Sequence, residues 1–327
     1  MSDENLLTVV IVNYRTPGLT IDCLQSLESE VRSLPGTKVI VTDNDSGDTS
    51  IEQISTAIAN QNWSEWVTFM PLERNGGFAY GNNAAIRPVL AAPNPPPYIL
   101  LLNPDTIVHP GALQALVDFM EKHPEAGIAG SRLEDPDGTP QESAFRFHTF
   151  MSELDQGFRL GILSKLLKNW LVAPPVSSET CQTDWVAGAS MIVRREVFEA
   201  VGLIDEAYFM YYEEMDFCLQ AQRAGFSCWY VPQSRVIHLV GQSSGVTDTK
   251  RPPKRLPQYW FDSRQRYFLK NYGWLYTAIA DTFWASGFAV WRVRRVFQGK
   301  PDLDPPQFLT DFLRNSVFLK KSASGSN

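Results

Sequence analysis

Several things are scarce in this chain, and each scarcity removes a class of function. Only four cysteines occur in 327 residues, Cys23, Cys181, Cys218 and Cys228. They form no CxxC pair and no zinc spacing, so a cysteine-built metal site is excluded and a reducing, cytosolic setting fits best. Positive charge is also short: 29 Lys and Arg face 36 Asp and Glu, a net charge of -7. Broad nucleic-acid binding rests on phosphate neutralisation and is therefore not expected. A small phosphorylated ligand remains compatible, because a metal ion can supply the missing charge. There is no GxGxxG and no Walker loop, which leaves dinucleotide and P-loop readings without support. The opening "MSDEN" is acidic where a signal peptide would be basic, and nothing there directs export. No internal repeat or low-complexity tract interrupts the chain.

What is present is the composition of a globular protein, 44% hydrophobic and 20% charged, with material for one large domain or two ordinary ones. Short apolar runs end at Asn13, Asn44, Met70 and Asn103, each with the length and β-branched richness of a buried strand. Between them, residues 18–33, 48–60, 78–91 and 110–122 read as helices. This alternation predicts an α/β fold with a mostly parallel twisted sheet. Polar residues gather where the strands stop: Asn13 and Tyr14, Asp43 to Asp48, Arg74 to Phe78, Asn103 to Thr106. Carboxyl ends of strands line the ligand crevice in such sheets. Further on, "TDWVAGASMIVRREVFEAVG" reads as a strand followed by a short helix, "VIHLV" as a short strand, and the last 60 residues as helical.

Individual motifs allow more than one reading. Asn103-Pro104-Asp105 suits a turn, or a carboxylate offered to a divalent metal. "ERNGGFAYGNN" has adjacent glycines where backbone must turn sharply or approach a ligand. "FMYYEEMDFCLQAQRAG" places Glu213, Glu214 and Asp216 in the first turn of a helix that Arg223 and Gly225 would close. His238 stands alone between apolar neighbours, as a core or edge histidine commonly does. The stretch Leu275 to Phe297 has about 17 mostly apolar residues interrupted by Asp281, short for a membrane span. With Trp274, Trp284, Trp291, Arg292, Arg294 and Arg295 it suits a helix lying at an anionic membrane surface, or one packed on the rest of the chain.

In order, "VVIVNYRT", "VTDNDSGDTS", "RNGGFAYGNN", "LLLNPDTIV", the block from Asp184 to Gly225 and "VIHLVGQSS" resemble a family 2 inverting glycosyltransferase. The likeness is greatest to the bacterial rhamnosyltransferase-like branch, with a weaker echo in "SRQRYFLKNYG". It implies a GT-A fold: a catalytic domain over 1–245, its nucleotide-binding half about 1–130 and acceptor half about 131–245, then a mobile basic loop and helical extension over 246–327. It implies sugar transfer from a dTDP- or UDP-linked donor, dTDP-rhamnose first among candidates, to a hydroxyl of a glycan or lipid-linked acceptor. By position it implies that Glu214 is the catalytic base, standing where Asp is usual. It implies that Asn13, Tyr14, Asp43, Asn75, Gly77, Phe78, Asn82, Asn103 and Asp105 bind the nucleotide-sugar. Trp185, Gly188 and Glu213 fall on the acceptor and sugar side. Asp105 and His238 would hold Mn²⁺ or Mg²⁺, Asn103 standing where relatives carry a first Asp. Phe209, Tyr211 and Tyr212 would partly desolvate the base. Lys250, Arg251, Lys254 and Arg255 could close over the diphosphate. The setting implied is cytoplasmic, with peripheral contact at the inner face of the plasma membrane. The rival reading is a catalytically weak or inactive nucleotide-sugar-binding protein of the same fold. A hydrolase would need a second, opposing carboxylate, which no motif identifies.

Overall fold

The computed structural model describes residues 5–239 and 253–320. Chain order runs β1 (Leu7–Asn13), α1 (Pro17–Ser33), β2 (Thr37–Asp43), α2 (Ser50–Asn60), β3 (Val67–Pro71), α3 (Gly77–Leu90), β4 (Tyr98–Leu102), β5 (Thr106–Val108), α4 (Ala112–Lys122) and β6 (Ala126–Glu134). It continues with β7 (Ala144–Phe145), α5 (Phe150–Phe158), α6 (Gly161–Leu166), β8 (Cys181–Thr183), β9 (Trp185–Val186), β10 (Ser190–Arg194), α7 (Arg195–Val201), α8 (Glu213–Arg223), β11 (Ser227–His238), α9 (Gln258–Phe297) and α10 (Phe308–Arg314). Contacts divide the chain into two units. The first comprises residues 1–145, 175–209 and 213–245; the second comprises 146–174, 210–212 and 246–327.

The first unit is an α/β layer built on a sheet ordered β3-β2-β1-β4-β10-β6-β11-β5, with β8 on β11. The first four strands are parallel, as the helices between them require, and the central pair, β1 and β4, is buried throughout. The other half is mixed: β10 runs antiparallel to β4 and β6, and β11 runs parallel to β6 but antiparallel to β5. Register then sets one edge. Asn13 pairs Asp43, Ser190 pairs Leu102, and His238 pairs Thr106. The carboxyl ends of β1, β2, β4, β6 and β11 thus share an edge with the amino ends of β10 and β5. The histidine strand is also longer than "VIHLV" suggests. It reaches back to Ser227 through Pro232, with its register to β6 shifting between Val231 and Arg235. Proline in a strand is tolerated at such an irregularity.

The second unit is helical. Gly157 and Gly287 let α5 and α9 close tightly: a Cβ on Gly157 would lie 2.6 Å from the Trp284 carbonyl oxygen, and one on Gly287 2.7 Å from the Phe158 nitrogen. Between them Arg264 is buried, its guanidinium 2.6 Å from Glu153 and 2.6 Å from Asp281. Asp281 also accepts the Val317 amide at 2.8 Å. The acid that interrupts the apolar run therefore belongs to this unit's core. Burying an ion set this way requires full pairing, which it has. Trp284 is buried as well and stacks on Phe288 and Phe312, so it does not face a membrane. Gly273, at φ 78°, breaks α9. Among the described residues no helix is long and apolar enough to cross a membrane.

Candidate active site

The shared edge gathers the strand-end residues. Asn13 and Asp43 are fully buried, and Asp43 accepts three hydrogen bonds: from Asn13 Nδ2 at 2.6 Å, Ser46 Oγ at 2.7 Å and the Ser46 amide at 3.0 Å. Asn13 Oδ1 accepts from Thr20 Oγ1 at 2.9 Å. In this conformation both residues shape the loop after β2. Tyr14 lies outside that knot, exposed, with the Arg15 guanidinium 5.1 Å from its ring centre.

The double glycine makes a close backbone approach. Gly77 takes φ 87°, and a Cβ there would sit 1.9 Å from the Phe209 carbonyl oxygen. Phe78 N donates to that same oxygen at 2.9 Å. Asn75 Oδ1 accepts from the Gly77 amide at 3.0 Å, and Asn44 Nδ2 donates to Gly77 O at 2.9 Å. Asn82, buried in α3, donates to Phe78 O at 2.9 Å.

Beyond β4, Asn103 N donates to Ala189 O at 3.0 Å, which joins the Asn-Pro-Asp turn to the start of β10. The preceding residue, Gly188, lies against the Phe78 ring: a Cβ there would be 3.3 Å from that ring and 3.8 Å from Glu214 Cβ. Asp105 and Glu214 thus flank one junction. Asp105 is buried and its Oδ1 lies 3.5 Å from His238 Nε2, while Leu239 N donates to Asp105 O at 2.9 Å. Among the described residues no cluster of three metal-ligating side chains occurs. One carboxylate beside one imidazole still suits Mg²⁺ or Mn²⁺, which complete their shells with phosphate oxygens and water.

The glutamates open α8, Arg223 ends it, and Gly225 follows at φ 95°, so the helix-dipole reading of those residues holds. Glu213 is buried and Glu214 partly exposed. One oxygen of each, Oε2, is buried with no hydrogen-bond partner among the described residues. Burial, then the neighbouring Glu214, pushes the Glu213 carboxyl well above the usual range, and burial raises Glu214 too. Just before them, Tyr211 and Tyr212 take left-handed backbone, φ 71° and 72°, a conformation large side chains adopt only where surroundings impose it. Their rings pack in the second unit, Tyr211 on Tyr259 and Tyr212 against Trp260 and Tyr267. Ser263 Oγ donates to Met210 O at 3.0 Å. Together with Arg264, this gives "SRQRYFLKNYG" a packing role.

Trp185 stacks on Phe145, ring centres 4.3 Å apart, in the small β7–β9 pair. Arg255 is engaged by Asp311 through two bonds of 2.7 Å, which ties it within the second unit. Lys250 and Arg251, with residues 240–252 of the loop assigned to them, lie outside the described residues; the end of that loop, from Gln258, is already α9. Sequence reading passed over Asn44, Ser46 and Asn83. Asn83 donates to Ile204 O at 2.7 Å and accepts the Ile204 amide at 3.2 Å, fixing the loop that leads to Phe209. Its spacing from Ala79 and Ile86 on the buried face of α3 was the available signal. Glu134 was missed too. Burial would raise its carboxyl, but Arg235 and His109 overcome this and hold it below the usual range.

This sheet edge, with an acid-bearing helix set across it, is that of a GT-A glycosyltransferase, and the protein is an enzyme of that class. The chain belongs to glycosyl transferase family 2, whose profile matches residues 8–174, and the glycosyl transferase family group 2 profile matches 98–300. It is 28% identical over 252 residues to the N-acetylglucosaminyl-diphospho-decaprenol L-rhamnosyltransferase of Mycobacterium tuberculosis, covering 74% of this chain and 78% of that protein. It is 32% identical over 164 residues to rhamnosyltransferase WbbL of Escherichia coli, 50% of this chain and 60% of the relative. In structure it is similar to GalNAc-T7 with UDP, GalNAc and Mn²⁺, with a TM-score of 0.57 at 16% identity, over 96% of this chain and 55% of that one.

Proposed function

We propose that this glycosyltransferase moves a deoxyhexose, rhamnose first among candidates, from a dTDP- or UDP-linked donor to a hydroxyl of a lipid-linked glycan, with inversion. The observation that carries the reading is the junction of β4 and β10. There Asp105 follows the turn bonded to Ala189, and Glu214 stands beside Gly188 and Phe78. The relatives named for rhamnosyl transfer, one of them with N-acetylglucosaminyl-diphospho-decaprenol in its name, support rhamnose as the sugar and a lipid-linked acceptor.

Glu214 takes the proton of the acceptor hydroxyl while that oxygen bonds to the anomeric carbon and the bond to the diphosphate breaks. A carboxylate raised by burial is a stronger base once ionised, so transfer rises with pH through its raised value. Tyr14, the Asn75–Phe78 turn and the loop shaped by Asp43 receive the nucleotide and sugar. Asp105 and His238 would hold a divalent cation, which supplies charge stabilisation for the leaving diphosphate. The domain reading, with nucleotide and acceptor halves over 1–130 and 131–245, belongs to the same proposal, as does action at the cytoplasmic membrane face. A thermal-shift screen of UDP, dTDP and their sugars, with and without Mn²⁺, tests it, because a ligand that binds only the folded state raises its stability. Stabilisation by one of these nucleotides and acceptor-dependent turnover of its sugar are expected. No shift with any of them contradicts the reading.

A further inference from the structure

The second unit presents a long helix face that its own core does not use. After Gly273, α9 buries Thr277, Ala278, Asp281, Trp284 and Phe288. Its outward positions recur at intervals of three and four: Leu275, Ile279, Thr282, Ser286, Val290, Val293 and Phe297. Not one is charged, and Val293 and Phe297 are 59% and 87% exposed. At 1.5 Å per residue the face is about 33 Å long. A helix face turned to water ordinarily carries charge along its length, so this one is made for another medium.

Two stretches beside that face carry charge of one sign. From Thr282 to Pro301 the sequence has Arg292, Arg294, Arg295 and Lys300 and no acid; from Gln156 to Leu171 it has Arg159, Lys165 and Lys168 and no acid. The two stretches meet, because Arg294 donates to the Phe158 and Arg159 carbonyls at 2.8 and 2.7 Å. The second stretch includes α6, where Ile162 and Leu166 are 72% and 73% exposed. Asp302 pairs with Arg292 and Arg295, and Asp304 with Arg159. Lys165, Lys168 and Lys300 meet no carboxylate among the described residues. The chain as a whole carries -7, so this basic character is local.

We infer that the outer face of α9 and the adjoining α6 seat on an anionic phospholipid surface, with α9 in the headgroup plane and Lys165, Lys168 and Lys300 among lipid phosphates. A second copy is disfavoured, because a two-fold contact would set this cation-bearing face against itself. Nucleic acid would leave the apolar stripe uncovered. The inference places the lipid-linked acceptor of the proposed function beside the enzyme, but the contact itself needs neither donor nor acceptor.

The test uses the full chain and vesicles of phosphatidylcholine, alone or with about a third phosphatidylglycerol. Wild type is expected to co-sediment with the anionic vesicles, less so in high salt. Val293→Asp combined with Phe297→Asp, and separately Lys165→Glu combined with Lys168→Glu, should each weaken partitioning about tenfold or more with melting temperature unchanged. Binding no stronger to anionic than to neutral vesicles, or variants that bind as wild type does, would overturn the inference. So would a dimer in light scattering that dissolves in the Asp variant while vesicles go unbound. Failure of sugar transfer alone would leave vesicle binding intact, which separates the two readings.

Discussion

Replacing Gly77 by alanine should destabilise the first unit far more than a glycine with the same backbone elsewhere. Gly77 and Gly138 have φ of 87° and 83°, but a Cβ at Gly138 meets nothing within 4 Å, whereas one at Gly77 overlaps the Phe209 carbonyl at 1.9 Å. Left-handed backbone costs either alanine about 1–2 kcal/mol. Relief of the overlap at Gly77 must push Phe209 away and break the 2.9 Å bond from Phe78 N, adding about 1 kcal/mol for the hydrogen bond and about 1–3 for repacking. Gly77→Ala should therefore lose about 3–6 kcal/mol and Gly138→Ala about 1–2. Urea denaturation of both variants, compared at unchanged slope, reads the difference. Phe209 leads into the Glu213–Glu214 helix, so Gly77→Ala should also lose turnover at temperatures where it remains folded. Equal destabilisation of the two variants would refute the close approach and the site geometry built on it.

Other outcomes follow from the same geometry. Asp43→Asn offers one acceptor oxygen and an NH₂ to three donors, so thermal or urea unfolding should show a loss of about 2–3 kcal/mol; wild-type stability would mean those contacts are not made. Glu213→Gln should gain stability over wild type as pH rises. The folded wild type keeps a proton that the unfolded chain releases above its ordinary 4.5, so the wild type loses stability up to the raised folded value. The slope is at most about 1.4 kcal/mol per pH unit for one proton, and a difference that stays flat from acid to alkaline pH would count against the buried pair. His238→Ala should weaken Mn²⁺ affinity in the presence of UDP about tenfold or more, with little change in unliganded melting temperature; equal affinities would return His238 to ordinary strand histidines.

The first third of the fold was legible because its signals are local. Apolar runs ending at Asn13, Asn44, Met70 and Asn103 match β1 to β4 within a residue or two, and all four intervening helices appear. The antiparallel β10 and the full length of β11 were not, since pairing direction depends on distant partners and Pro232 obscures one continuous strand. Glu214, Gly188 and Phe78 were named by resemblance, and only three-dimensional register brings them together. In the tail, composition left two facings open: Trp284, which suited a membrane surface or a packed helix, belongs with Asp281 to the second unit's core. Asn44 was read only as a strand end and Asn83 was given no part, because each sits beside a residue already chosen and their partners are remote in sequence.

The account rests most directly on Glu214, and acceptor-dependent transfer by three variants tests it. Glu214→Gln should lower transfer at least about a hundredfold while the nucleotide-induced rise in melting temperature persists. Glu214→Asp should retain activity, and Glu213→Gln should lose less than Glu214→Gln. Transfer by Glu214→Gln at the wild-type rate would contradict the assignment and leave Glu214 as a helix-start acid.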